Sequence, residues 1–165
     1  MVIYHKTGLK SILTTSIRLI LAIITMYQID LITVGDLPRG AFQEIRAEYQ
    51  KFLTKYTAIN QRVVKDDTNL IARVNPDHFI VILEATGKNL SSEAFADVLK
   101  QKIDLGQPIT FIIGGAHGLS PALKASAHLL LSLSAMTTTH DLAQLFLYEQ
   151  LFRAFTIIQG TGYHK

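Results

Sequence analysis

Two short runs, Phe79 to Leu83 and Ile109 to Ile113, are apolar at nearly every position and rich in β-branched residues. A strand with one face in water alternates apolar and polar side chains. One covered on both faces reads as an unbroken apolar run, the mark of a parallel sheet flanked by helices. What surrounds the runs fits that demand. Ile29 to Val34 reads as a first strand, stopped by Gly35, with Pro38 and Gly40 before a helical pattern from Ala41 to about Tyr56. After the second strand, Ser91, Ser92 and Glu93 open a helix to about Ile103, with a hydroxyl cap and an acid at the positive end of the dipole. Gly106 and Pro108 close it. Leu129 to Leu133 is a further short apolar run, and Thr139 with Asp141 starts a last helix to about Phe155, whereas Arg62 to Asn69 reads as polar and irregular. Strand and helix alternate without internal repeats, which predicts an α/β domain with a mainly parallel sheet and helices on both faces.

At 165 residues and 18.4 kDa the chain makes one domain able to bury a core without staples. Hydrophobic residues are 48% and charged residues only 18%, so apolar area remains for the surface, and a subunit interface is the expected sink. The absence of cysteine removes disulfides, cysteine-ligated zinc and thiolate catalysis. Lys6, Lys10 and Arg18 precede Met26 with no acid among them, so residues 26–165 carry 13 basic and 13 acidic side chains. Net charge therefore does not argue for nucleic acid.

Residues 1–25 differ in kind, with basic residues, a Ser/Thr cluster at Thr14 to Ser16 and the apolar run Leu19 to Ile24. The run is too short for a secretory signal core with its small-residue cleavage site, and far short of the roughly 18 to 20 apolar residues of a membrane span. The expectation is an amino-terminal extension produced by a translation start placed upstream of Met26, followed by a single domain over 26–165.

Gly114, Gly115 and Gly118 follow a strand and precede a helix, where free amides can hold a polar ligand or simply make a tight turn. A dinucleotide fingerprint would need glycine at Ile113 and an acid about 20 residues on, and both are missing. Gly118-Leu-Ser120-Pro-Ala122 approaches a nucleophile elbow, with His117 and Asp104 as nominal partners, but lacks the last glycine. Ser120 before Pro121 suits a helix N-cap better. Six histidines show no spacing that presents two imidazoles to one ion, so no metal site is expected. His78 and His128 read as edge or partly buried residues. Ser132 to His140 is small, hydroxylated and uncharged, suited to wrapping a neutral heteroaromatic ring or to capping the last helix. In that helix Leu142, Leu145, Phe146, Glu149, Phe152 and Arg153 recur at three- and four-residue intervals, an apolar face for core or dimer with a Glu149–Arg153 pair.

Together, Phe111-Ile-Ile-Gly-Gly-Ala-His-Gly-Leu-Ser120, Leu131-Ser-Leu-Ser-Ala-Met-Thr137, His140, Glu149-Gln-Leu-Phe-Arg-Ala154 and the ending Gly162-Tyr-His164 resemble the RlmH family, ribosomal RNA large-subunit methyltransferase H. The resemblance covers about Ile29 to the end and is strongest from Phe79. It implies a SPOUT-type α/β fold with a carboxyl-terminal trefoil knot, against the general rule that chains are unknotted. It also implies a cytoplasmic homodimer, without membrane or metal, that uses S-adenosylmethionine to methylate N3 of a pseudouridine in 23S rRNA within the 70S ribosome.

Carried over by position, Leu83, Gly114 and the loop Leu133, Ser134, Ala135, Met136, Thr137 and Thr138 would line the S-adenosylmethionine pocket. His140 would close that loop, and Glu149 and Arg153 would lie on the interface helix. Tyr163 and His164 would reach the partner subunit's site, with His164 the first candidate to take the N3 proton and Tyr163 the second. Three departures stand out. Ala116 replaces a frequent proline, Gln144 a frequent arginine, which implies a lost RNA or substrate contact, and the segment between Tyr56 and Phe79 lacks a lysine-rich stretch. The alternatives are a SPOUT methyltransferase with another RNA target, a cofactor-binding dimer without catalysis, and a hydrolase built on Ser120.

Overall fold

The computed structural model describes residues 27–35, 39–115 and 117–163. The expectations for residues 1–25 and for His164 lie outside the described residues. Strands β1 (Tyr27–Val34), β2 (Thr57–Val64), β3 (Phe79–Asn89), β4 (Ile109–Ile113) and β5 (Leu129–Ser132) alternate with helices α1 (Ala41–Leu53), α2 (Leu70–Arg73), α3 (Ser92–Asp104), α4 (Pro121–Ala125) and α5 (His140–Ile158). They form one sheet in the order β2-β1-β4-β3-β5, parallel at every pairing. The central strand β4 is buried at all five residues, as its apolar run requires.

Alternation along the strands feeds two cores. Ile29, Leu31, Val81, Ile109 and Phe111 pack with Phe95 and Leu99 of α3, Leu53 of α1 and Leu147, Tyr148 and Leu151 of α5. On the other face Ile32, Val34, Ile80, Ile82 and Ile112 meet Leu70 of α2 and Leu123 of α4. Helices therefore cover both faces. Ser91 caps α3, its Oγ accepting from the Ala94 N–H at 3.2 Å, and Thr139 caps α5, its Oγ1 accepting from Leu142 N–H at 3.4 Å.

Four details differ from the sequence expectation. Thr57–Val64 is a strand paired along its length with β1. It is an edge strand that keeps Asn60, Arg62 and Val63 accessible, and so lacks an apolar run. Strand β3 continues to Asn89 past an irregularity in which Leu83 and Lys88 both pair with Leu131. Ser120 occupies the N-cap of α4 with Pro121 behind it, but its hydroxyl makes no capping bond. On α5 the core face is Gln144, Leu147, Tyr148, Leu151, Ala154 and Phe155. The stripe containing Phe146, Glu149, Phe152 and Arg153 is left half-buried, and Leu142 is exposed. Apolar residues run around most of this helix, so one spacing rule fits two stripes.

Candidate functional site

Parallel sheets bind ligands beyond the carboxyl ends of their strands. Here the ends of β3, β4 and β5 are neighbours, and the segments leaving them enclose a cavity of about 550 Å³. This lies within the range of small-molecule sites. Leu83, Glu84 and Ala85 come from β3; Ile113, Gly114, Gly115, Gly118 and Leu119 from the turn after β4; and Leu131 to Ser134 with Met136 to Thr139 from β5 and its loop. His140 and Ala143 of α5 complete the wall.

The glycine turn is shaped by its lack of side chains. A Cβ on Gly114 would stand 3.0 Å from Cγ of Leu119, and Gly118 has φ +72°, in the left-handed region. Its N–H donates to the Gly115 carbonyl at 3.0 Å, which closes the turn. The following Ser120 N–H donates to Oδ2 of Asp67 at 2.7 Å, and that bond holds the Asp67 carboxyl below its ordinary range. The β5 loop is fixed from within. Ser132 Oγ donates to the Ser134 carbonyl at 2.8 Å, and Ser134 Oγ accepts from the Met136 N–H at 3.0 Å. Met136 is 78% exposed at its tip.

Most of the lining is apolar or hydroxylated, and among the described residues Glu84 is its one carboxylate. Lys124 of α4 pairs with it at 2.6 Å and holds it ionised, with its carboxyl below the usual range. The arrangement suits a ligand with a flat apolar ring and hydrogen-bonding edges.

Seven of the eight residues expected to hold a cofactor meet in this cavity: Leu83, Gly114, Leu133, Ser134, Met136, Thr137 and Thr138. Ala135 is not in its wall. Sequence reasoning missed Glu84, and the only local signal was its place directly after Leu83 at the cavity end of the apolar run. Gln144, which stands where arginine is frequent in the resembled family, is fully buried against His140.

Tyr163 lies elsewhere. Its hydroxyl donates to Oε1 of Glu149 at 3.3 Å, its ring packs edge-on to Phe152 at 4.8 Å, and the Arg153 guanidinium sits 5.0 Å from the ring centroid. None of these residues lines the cavity. Burial, with Tyr49 and Glu149 beside it, pushes the phenol up to about 12. The expected Glu149–Arg153 pair forms at 2.6 Å. Ser120, His117 and Asp104 form no triad. Asp104 ends α3 on one face of the sheet and pairs with Lys100, while Ser120 starts α4 on the other. Among the described residues no group of three metal-ligating side chains occurs.

A family model described as predicted SPOUT methyltransferase matches residues 27–164. Over 153 residues the chain is 35% identical to the ribosomal RNA large subunit methyltransferase H of Caldicellulosiruptor saccharolyticus, covering 83% of this chain and 99% of that protein. It is 38% identical over 138 residues to the protein of the same name from Thermotoga maritima, covering 76% and 91%. A crystal structure described as a probable rRNA-methyltransferase from Porphyromonas gingivalis superposes with a TM-score of 0.52 at 13% identity. It covers 81% of this chain and 70% of that one, a likeness of fold alone.

Proposed function

We propose that this chain, which belongs to the SPOUT methyltransferase family, methylates large-subunit ribosomal RNA from S-adenosylmethionine, at N3 of a pseudouridine in 23S rRNA on the assembled 70S ribosome. The observation that carries this reading is the cavity itself. Segments distant in sequence, which separately match the family's cofactor positions, meet around one space of nucleoside-compatible size.

The residues present fit the donor. Ile113, Leu131 and Leu133 offer apolar walls for a purine, the bare backbone at Gly114 admits close approach, and the loop from Leu133 to Thr138 offers amides and carbonyls to ring edges. Bound S-adenosylmethionine supplies a methyl group on a sulfonium, reactive enough that alignment is the main task left to the protein. The glycine turn and the β5 loop align the donor and exclude water. The N3 proton of the target passes to His164 in this scheme. The Tyr163 phenol, at about 12, stays protonated at neutral pH and serves as a donor or orienting group.

Assembly as a homodimer would bring Tyr163 and His164 of one subunit to the partner's cavity. An apolar surface supports it, since Phe42, Ile45 and Phe52 of α1 are exposed and Phe52 packs on half-buried Phe152 of α5 at 5.4 Å. The same scheme includes a trefoil knot. The chain leaves β4, passes β3 to add β5 at the edge, then returns through α5 to pack on α3 and α1. Among the described residues no helix is long and apolar enough to cross a membrane.

The test is transfer of labelled methyl to 70S ribosomes lacking the modification, with 50S subunits and free RNA alongside, read by nucleoside mass spectrometry. Methylpseudouridine on 70S particles is expected. Cofactor binding without label on any of the three would replace this reading with another RNA target or a binding-only dimer.

A further inference from the structure

We infer that Gln144 is a positioning residue for the cavity, acting through His140. It holds the imidazole in one tautomer and thereby fixes the Gly114 carbonyl in the cavity wall. The inference rests on the reading of this cavity as the methyl-donor pocket.

The proton assignment follows from the partners. His140 Nδ1 lies 2.8 Å from the carbonyl oxygen of Gly114, which can only accept, so Nδ1 carries the hydrogen. Nε2 of Gln144, an amide nitrogen that can only donate, lies 2.8 Å from His140 Nε2, which is therefore the bare nitrogen. The ring is neutral and protonated at Nδ1.

Gln144 itself is fully buried, and among the described residues its Oε1 has no partner. A buried amide that leaves its oxygen unsatisfied is oriented for the group on its nitrogen. Turning the amide over would require a hydrogen on both imidazole nitrogens, one for the Gly114 carbonyl and one for Oε1 of Gln144. Gln144 is thus one turn behind the cavity, touching His140, which lines it, and His140 bonds the residue whose missing side chain leaves room in the wall.

The experiment uses the full chain labelled with nitrogen-15 at histidine, in the native form and as Gln144→Leu, with Gln144→Met as a second variant of similar volume if the first does not fold. In ligand-free native protein the His140 resonances are expected to show a protonated Nδ1 and a bare Nε2. In the variant they shift toward a tautomer mixture. S-Adenosylmethionine affinity is then measured in a double-mutant cycle with His140→Asn. Gln144→Leu should weaken binding roughly 3- to 10-fold in the native background and leave it unchanged beside His140→Asn. An Nε2-protonated ring in the native chain, unchanged tautomer populations in the variant, or an equal loss in both backgrounds would overturn the inference. If native protein does not bind S-adenosylmethionine, the donor-pocket reading fails on its own, and the resonances alone decide the role of Gln144.

Discussion

Gly87 lies within the irregularity of β3, just before pairing with β5 resumes at Lys88, and a Cβ there would stand 2.6 Å from the carbonyl oxygen of Leu130 and 2.9 Å from the nitrogen of Leu131. Both are backbone atoms, so no side chain can rotate aside. Ordinary contact begins near 3.4 Å, so Gly87→Ala must part the two strands by several tenths of an ångström. That displacement stretches ladder bonds of about 2.9 Å past the length at which they count as bonds. Losing two of them costs about 1–3 kcal/mol, and overpacking adds a comparable amount, so the expected destabilisation is about 3 kcal/mol. For a chain of this size it lowers Tm by about 6–12 °C. Urea unfolding followed by circular dichroism measures it, with Gly162→Ala as control because a Cβ there meets nothing within 4 Å. Because Leu131 lines the cavity, ligand affinity should fall with stability in the Gly87 variant only. A Gly87→Ala protein with an unfolding free energy within about 0.5 kcal/mol of native, the ordinary scatter of surface changes, would refute the close approach of β3 and β5.

Tyr27, Tyr148 and Tyr163 have phenols raised chiefly by burial. The folded state keeps protons that the unfolded state releases above about pH 10, so their contribution is complete below that pH and is lost as pH rises toward 12 and beyond. Denaturant midpoints should fall across that window, and Tyr163→Phe should flatten the part lost near 12; a flat profile in the native chain would contradict the burial. Phe52→Asp puts a charge on the exposed apolar surface of α1 and should leave a folded monomer in sedimentation velocity. A dimer of unchanged stability would place the interface elsewhere. His164→Ala should lower the single-turnover methylation rate by about 10²- to 10⁴-fold with cofactor saturation intact. A full rate at saturation would remove His164 as proton acceptor.

Much of the architecture could be seen in local chemistry, and the misses share a cause. Ile109 to Ile113 matched β4 to the residue because a strand buried on both faces has no freedom in its pattern. Thr57 to Val64 escaped notice because an edge strand satisfies its backbone on one side and keeps polar side chains on the other. Helix α5 announced its start through Thr139, but which of two apolar stripes meets the sheet depends on where the chain returns across it. For the cavity, residues directly following apolar strands were legible because parallel strands deliver their carboxyl ends to one rim. Lys124 and Gln144 were not, because each matters only through a neighbour at least four residues away that folding brings within 3 Å.

Parallel pairing at every ladder bears on how the molecule forms. No two strands can zip from a hairpin: Tyr27 meets Thr57, Ile29 meets Ile109 and Val81 meets Leu129. Each closure orders a long loop before any contact rewards it, a topology associated with slow folding. The last strand, the last helix and the loop that joins them also supply more than half of the cavity's wall. Ligand competence therefore arrives only with the final docking step, so the onset of binding during refolding can serve as a clock for completion of the fold.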